Sequence, residues 1–207
     1  MKTKQKPIFL LMLFAAVTIS AVTITLAQQK VNIKTIFRML PDDVFPEYIP
    51  LDDIEGKESH ISVCDYKNGY LELGGGQFTW EMCYWNLKDR RKLVAVNIHT
   101  EDGSVIRTFF YKKGKLQEDK NYKLGGEQTY KLEDFIDVSQ LNPDVLAKAK
   151  KAFAKGNYKL FFGLPQKGTS LKVWLNEYSL FEEHDAFPYE ALKSVTIKWK
   201  NEKWVKQ

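Results

Sequence analysis

From His60 onward the hydrophobic pattern takes the two-residue period of β-strands, and this constrains the fold more than any other feature of the chain. Ile61–Asp65, Tyr70–Leu73, Phe78–Leu87, Leu93–Thr100 and Val105–Lys112 are each rich in β-branched and aromatic residues. Each is bounded by Gly, Asn, Asp or Lys clusters. Connections this short cannot cross over a sheet, so neighbouring strands must run antiparallel. Asp102-Gly103 reads as a two-residue hairpin loop, which sets Ile98 opposite Arg107, Val96 opposite Phe109 and Val94 opposite Tyr111 on an apolar face. The opposite face pairs Ala95 with Phe110, Asn97 with Thr108 and His99 with Ile106. Its greater polarity predicts a partly wet surface. In Phe78–Leu87 both alternating sets are apolar, so this strand is expected at the centre of the sheet and covered on both sides.

Helical spacing flanks these strands. Asn32 is a good N-cap, and Ile33, Ile36, Phe37 and Leu40 recur at helical intervals until Pro41 intervenes. A second short turn over Asp42–Tyr48 is limited by Pro46 and Pro50. The best-capped helix has Asn142 at the N-cap, Pro143 at the first position, Asp144 at the positive end and Gly156 at its close. Its apolar stripe is Val145, Leu146, Ala149, Ala152 and Phe153, with lysines opposite, and Leu132–Val138 predicts a shorter helix before it. Strands then return at Tyr158–Phe162, Ser170–Asn176 and Ser194–Lys200, the last hairpinned through Asn201-Glu202 to Trp204–Lys206. The fold class is therefore α+β, with antiparallel β-meander sheets and helices packed on one face. Helix-plus-meander order occurs twice, over residues 28–131 and 132–207. Leu40-Pro41-Asp42-Asp43-Val44-Phe45 loosely echoes Leu141-Asn142-Pro143-Asp144-Val145-Leu146. A degenerate duplication of one unit and a single continuous domain over 28–207 both accommodate this order.

The first residues supply an address. Lys2, Lys4 and Lys6 precede an apolar and hydroxylic run from Ile8 to Ala27, with small residues Thr25 and Ala27 just before Gln28. This predicts a signal peptide, residues 1–27, cleaved after Ala27, and hence export to the periplasm or beyond the cell. The alternative is an uncleaved N-terminal anchor, the one route by which the chain would touch a membrane. Cleavage would leave 180 of the 207 residues and remove three lysines but no acid, so the formal charge of +5 would fall to +2. That near balance argues against nucleic acid as a partner. In an oxidising compartment the two cysteines, Cys64 and Cys83, on either side of the Lys67-Asn68-Gly69 turn, are candidates for a disulfide.

Catalytic signatures are missing from the sequence. Gly74-Gly75-Gly76 lies between two strands with no helix after it, so it reads as a bulge or turn rather than a phosphate loop. His60, His99 and His184 have no metal-ligand spacing, and Glu182-Glu183-His184-Asp185 reads as an acidic solvated loop; no metal or cofactor is expected. No nucleophile elbow occurs, and Asp42, Asp43, Asp52 and Asp53 stand near prolines as turn or cap residues. No catalytic residue is assigned. A ligand-binding face bearing Asn97, His99 and Thr108 is the candidate site. Phe78, Trp80, Met82 and Tyr84 on one face of their strand, with Cys83, Trp85 and Leu87 on the other, read as core packing, with an exposed aromatic platform for a sugar ring or a partner surface as the alternative.

The signal segment, the Met39-Leu40-Pro41-Asp42-Asp43 run followed by Pro46, and the aromatic meander together resemble small exported proteins of unknown function from Gram-negative bacteria. That resemblance implies no catalytic residues. The expected function is a non-catalytic exported module that binds a protein or carbohydrate ligand. The alternatives are a periplasmic hydrolase whose carboxylate pair assembles only in the fold, and a structural subunit of an envelope assembly.

Overall fold

A computed structural model describes residues 31–181 and 188–207, so the expected signal segment and the Glu182–Asp185 group lie outside the described residues. Two antiparallel sheets organise the rest. The first contains β1 (Ile61–Asp65), β2 (Tyr70–Leu73), β3 (Trp80–Asn86), β4 (Lys92–Thr100), β5 (Gly103–Lys112) and β6 (Lys115–Glu118) in sequential order. The second contains β7 (Lys159–Gly163), β8 (Leu171–Asn176), β9 (Ser194–Lys200) and β10 (Lys203–Lys206), again in order, with β7 and β10 at its edges. Helices precede each meander: α1 (Ile33–Phe37) and α2 (Ile54–Ser59) the first, α3 (Leu132–Phe135) and α4 (Pro143–Ala154) the second. The α+β meander architecture is the one the strand periodicity predicts. Residues Ile33–Gln207 fold as one compact unit.

The local rules act where expected. Asn142 accepts the Val145 N–H at 2.9 Å, Pro143 opens α4, and Gly156 follows its end with a φ of 72°. Asp53 caps α2 by accepting the Gly56 N–H. Asp42 and Asp43 lie in the first turn of a short 3-10 helix over Asp42–Val44. Asn201 and Glu202 take φ values of 53° and 62°, the mirror-image turn that matches the twist of β9 and β10.

The first sheet is covered on both faces. On one face Trp80, Met82, Val94, Val96 and Phe109 are buried, together with Ile33, Ile36 and Phe37 of α1. Trp80 stacks on Phe45 at 5.7 Å, meets the edge of Phe37 at 6.0 Å and donates its indole N–H to Val44 O at 2.8 Å. The other face contributes Tyr70, Cys83, Trp85, Leu93 and Ala95 to a core shared with α3, α4 and the second sheet. Leu171, Val173, Leu175, Val195 and Ile197 supply the second sheet's part of that core. β3 is thus central and buried on both sides, as its doubly apolar pattern predicts.

Three expectations are corrected. The β4–β5 register places Thr100 opposite Gly103, Asn97 opposite Ile106 and Ala95 opposite Thr108, a shift of two residues from the Asp-Gly hairpin reading. Neither Glu101 nor Asp102 takes a positive φ. Instead the Thr100 hydroxyl accepts the Asp102 N–H at 3.3 Å and donates to Gly103 O at 3.0 Å, closing the turn one residue early. Because the shift is even, every side chain keeps its expected face.

The second correction concerns the cysteines, which are both free thiols. Cys64 on β1 pairs with Leu71, and Cys83 on β3 pairs with Tyr70, so β2 lies between them. Two strand spacings amount to about 10 Å, beyond the ~7 Å Cα separation a disulfide spans. The register also directs the two side chains to opposite faces of the sheet, since Leu71 and Tyr70 are neighbours on β2. The third correction is the wet face. Asn97 is 0% exposed and Thr108 4%, because this face lies in the interior against the second sheet.

Candidate functional site

The expected site residues form part of a polar seam where the edge of one sheet meets the face of the other. β7 bonds to β8 on one side, which leaves the outward N–H and C=O groups of its alternate residues without a strand partner. Side chains of the first sheet take that role. Ser104 Oγ accepts the Phe162 N–H at 2.9 Å, and Asn97 Nδ2 donates to Phe162 O at 2.6 Å. Glu81 Oε1 accepts the Leu164 N–H at 2.8 Å. His99 Nε2 lies 2.8 Å from Phe162 O and 3.1 Å from Asn97 Nδ2. An unpaired backbone edge in a core is costly, which is why polar residues alternate into this face.

Asn97 and His99 are therefore brought together, and Thr108 is not. Thr108 stands opposite Ala95 while His99 stands opposite Ser104, four residues away, or about 13 Å along the strand. Thr108 donates to Asp119 O at 2.8 Å and holds the chain that leaves β6. Asn97 and Thr108 work inside the protein. His99 alone reaches the surface.

A carboxylate pair does assemble in the fold. Glu72 and Glu81 are direct cross-strand partners, and the Tyr70 hydroxyl lies 2.9 Å from Glu81 Oε2 and 3.1 Å from Glu72 Oε2. Burial pushes the Glu81 carboxyl above its usual range, and the bonds from Leu164, Asn97 and Tyr70 oppose that shift without cancelling it. Burial and then the Glu81 charge raise the Tyr70 hydroxyl as well. The Tyr70 hydroxyl is the donor set between the two carboxylates. Glu81 is only 5% exposed, so this contact is held inside the protein.

The surface feature with ligand-binding character begins where the seam ends. A cleft of about 530 Å³ runs between the Gln77–Thr79 loop, the tip of the β4–β5 hairpin and the outward face of the second sheet. Phe161 and Trp174, cross-strand partners on that outward face, stack at 5.8 Å and 24°. His99 meets both rings, at 5.2 Å and 5.7 Å. Phe78, 39% exposed, and Tyr178, 70% exposed, add two more aromatic walls. The volume is in the range of pockets that enclose a small ligand.

Sequence reasoning missed Phe161, Trp174 and Tyr178. A signal was present: the remaining outward positions of β8 and β9 are mainly Lys, Ser or Thr, and an aromatic pair breaks that pattern. A larger cleft of about 1000 Å³ beside the β5–β6 hairpin has a different character. Lys112, Lys113, Lys115 and Lys120 stand there with Glu118 and Asp119, and its ring, Phe110, is covered by Arg91 at 4.6 Å. That surface is a solvated charged face.

The Gly74-Gly75-Gly76 turn also has a structural role. A Cβ on Gly76 would lie 2.5 Å from the Tyr48 ring, so glycine is what lets Tyr48 pack there. Among the described residues no group of three or more His, Cys, Asp or Glu side chains could hold a metal ion. No helix among them is long and apolar enough to cross a membrane.

No protein-family model and no curated protein matches the chain. Among solved structures it is similar to a domain of an uncharacterized protein from the Gram-negative bacterium Porphyromonas gingivalis W83. The TM-score is 0.54 at 13% identity, covering 84% of this chain and 97% of that one. At that identity the likeness concerns the fold alone. The same arrangement of two antiparallel meanders and flanking helices is accessible to very different sequences.

Proposed function

We propose that this chain is an exported, non-catalytic binding module whose ligand site is the aromatic cleft between the two sheets. The observation that carries the reading is the convergence of Phe78, Phe161, Trp174 and Tyr178 on one hollow beside His99. Rings left half-exposed on the outward face of a sheet add nothing to the core, so their placement favours contact with something outside the chain. Export follows from the N-terminal Lys-rich and apolar segment.

A hydrolytic reading has one supporting observation, the Glu72–Glu81 pair. Against it, neither acid lines the aromatic cleft or the charged cleft beside β6, and the Tyr70 hydroxyl occupies the space between them. A substrate would need both.

Amide chemical-shift mapping with a panel of small ligands tests the site. Shifts confined to Thr79, His99, Phe161 and Trp174, and lost in Trp174→Ala, are expected. Shifts confined to another surface would move the site there, and a panel without effect would remove the binding assignment. Sequencing the N-terminus of the protein from cell fractions tests export: a start at Gln28 in the periplasmic or culture fraction is expected, and a cytoplasmic chain beginning at Met1 would refute it.

A further inference from the structure

We infer that the cleft takes a small organic cation, an ammonium or quaternary ammonium group held against the aromatic rings and the carboxylates of Glu101 and Glu177. This rests on the cleft being the binding site and narrows the class of ligand it takes. Three observations converge on a cation.

The first is charge. Glu101 and Glu177 both line the cleft, and among the described residues no lysine or arginine does, in a chain with 31 basic residues against 26 acids. Lys159 and Lys172 stand outside it, lining neighbouring hollows. Among the described residues neither carboxylate belongs to an ion pair. Two acids lining an aromatic cleft, with no ion-pair partner among the described residues, attract a positive ligand.

The second is the state of the neutral polar groups. A sugar ring is recognised by side chains free to donate to and accept from its hydroxyls, and beyond Gln77 and Thr79 of the loop the cleft's Asn176, His99 and Thr100 are engaged inside the protein. Asn176 donates to Glu101 O at 2.8 Å and accepts the Tyr178 N–H at 3.1 Å, which uses both ends of its amide. His99 Nε2 is held by Phe162 O, and the Thr100 hydroxyl closes its own turn. Besides Gln77 and Thr79, what the cleft offers a ligand is ring surface and negative charge.

The third is the rings themselves. Trp174 is the strongest cation–π acceptor among the side chains, and it is flanked by Phe161, with Phe78 and Tyr178 on the other walls. The same chain already places cations over rings: Lys92 lies 3.9 Å from the Tyr84 centroid and Arg91 lies 4.6 Å from that of Phe110. Those cations belong to the protein. Among the described residues Phe78, Phe161 and Trp174 have no such cation over them.

Calorimetric titration of the purified protein with choline chloride, with the uncharged tert-butyl isostere of choline and with methyl glucoside separates the ligand classes. Choline is expected to bind at least about tenfold more tightly than its isostere. The Glu101→Gln/Glu177→Gln double variant is expected to lose most of that preference, and added salt to weaken choline alone. Its thermal midpoint is the control for folding. Isostere or glucoside binding as tightly as choline would overturn the cation assignment while leaving the cleft as the site. An absence of binding by choline would also overturn it, and the shift mapping with other ligands then decides independently whether the cleft binds anything.

Discussion

Glu81 Oε1 accepts the backbone N–H of Leu164 at 2.8 Å, and this bond ties the central strand of the first sheet to the end of the edge strand of the second. Around it Asn97, Ser104 and His99 complete the pairing of β7, so a short row of polar side chains does the work of a missing strand. The junction of the two sheets depends on this row.

Replacing Glu81 separates its bonds from its charge. Glu81→Ala leaves the Leu164 N–H, the Asn97 amide and the Tyr70 hydroxyl short of partners, and a loss of about 3 kcal/mol is expected in urea unfolding. Glu81→Gln keeps the shape and mimics the protonated acid, so a change within about 1 kcal/mol is expected. An equal loss in both variants would show that Glu81 is needed as a charge.

The same residue sets a pH dependence. Its carboxyl is raised in the folded protein, so at a pH between the unfolded and folded values folded Glu81 holds a proton that the unfolded chain has released. Its contribution is therefore fully present below the ordinary carboxyl value of 4.5 and is lost as pH rises through the folded value. Unfolding free energies measured from acid to neutral pH should show this falling component in the native sequence. The component should be absent in Glu81→Gln.

Gly103 marks the closest approach of hairpin and edge strand. Its φ is +135°, and an added Cβ would lie 2.8 Å from Leu160 O, a backbone atom that cannot swing away. Gly103→Ala should cost about 2 kcal/mol or more, because strain and collision add. Gly114→Ala is the control: its φ is +79° but nothing lies within 4 Å, so the conformational cost of about 1 kcal/mol stands alone. Equal losses would mean that the hairpin is free to move off β7.

The thiols provide a direct check on the strand order. Cys83 is buried and its thiol is pushed well above the usual value by that burial, whereas Cys64 is half-exposed. A thiol reagent should label Cys64 in the native protein and Cys83 only after unfolding. A mass two hydrogens lighter, restored on reduction, would contradict the placement of β2 between them.

The strands show how far a single sequence carries. The β3, β4, β8 and β9 segments lie where alternation of aromatic and β-branched residues put them, and α4 begins and ends at its Asn-Pro and Gly signals. Two elements, α2 and β6, were not read: each is short, and Ile54–Ser59 has no buried residue to impose a period. The β4–β5 register was misread because Asp102-Gly103 outweighed the Thr100 hydroxyl, a side-chain bond that leaves no mark on hydrophobic spacing. The parity of each position survived the error, so Asn97, His99 and Thr108 were correctly placed on one face.

What that face meets could not be read. Polar residues on a strand usually report water, since water is the commonest partner a polar side chain finds. Here they report the open edge of β7, whose backbone groups need the same bonds and belong to a segment some 60 residues further on. The cleft has the same origin. Phe161, Trp174 and Glu177 belong to the second sheet and the turn after it, and they meet Phe78, His99 and Glu101 only when one sheet's edge docks on the other's face. Alternation and connection length act within a few residues, so the sequence alone determines strands, turns and the antiparallel order. The junction between the sheets is made by contacts between residues far apart in the chain, and only the folded structure reveals which polar groups are interior and which rings stay at the surface.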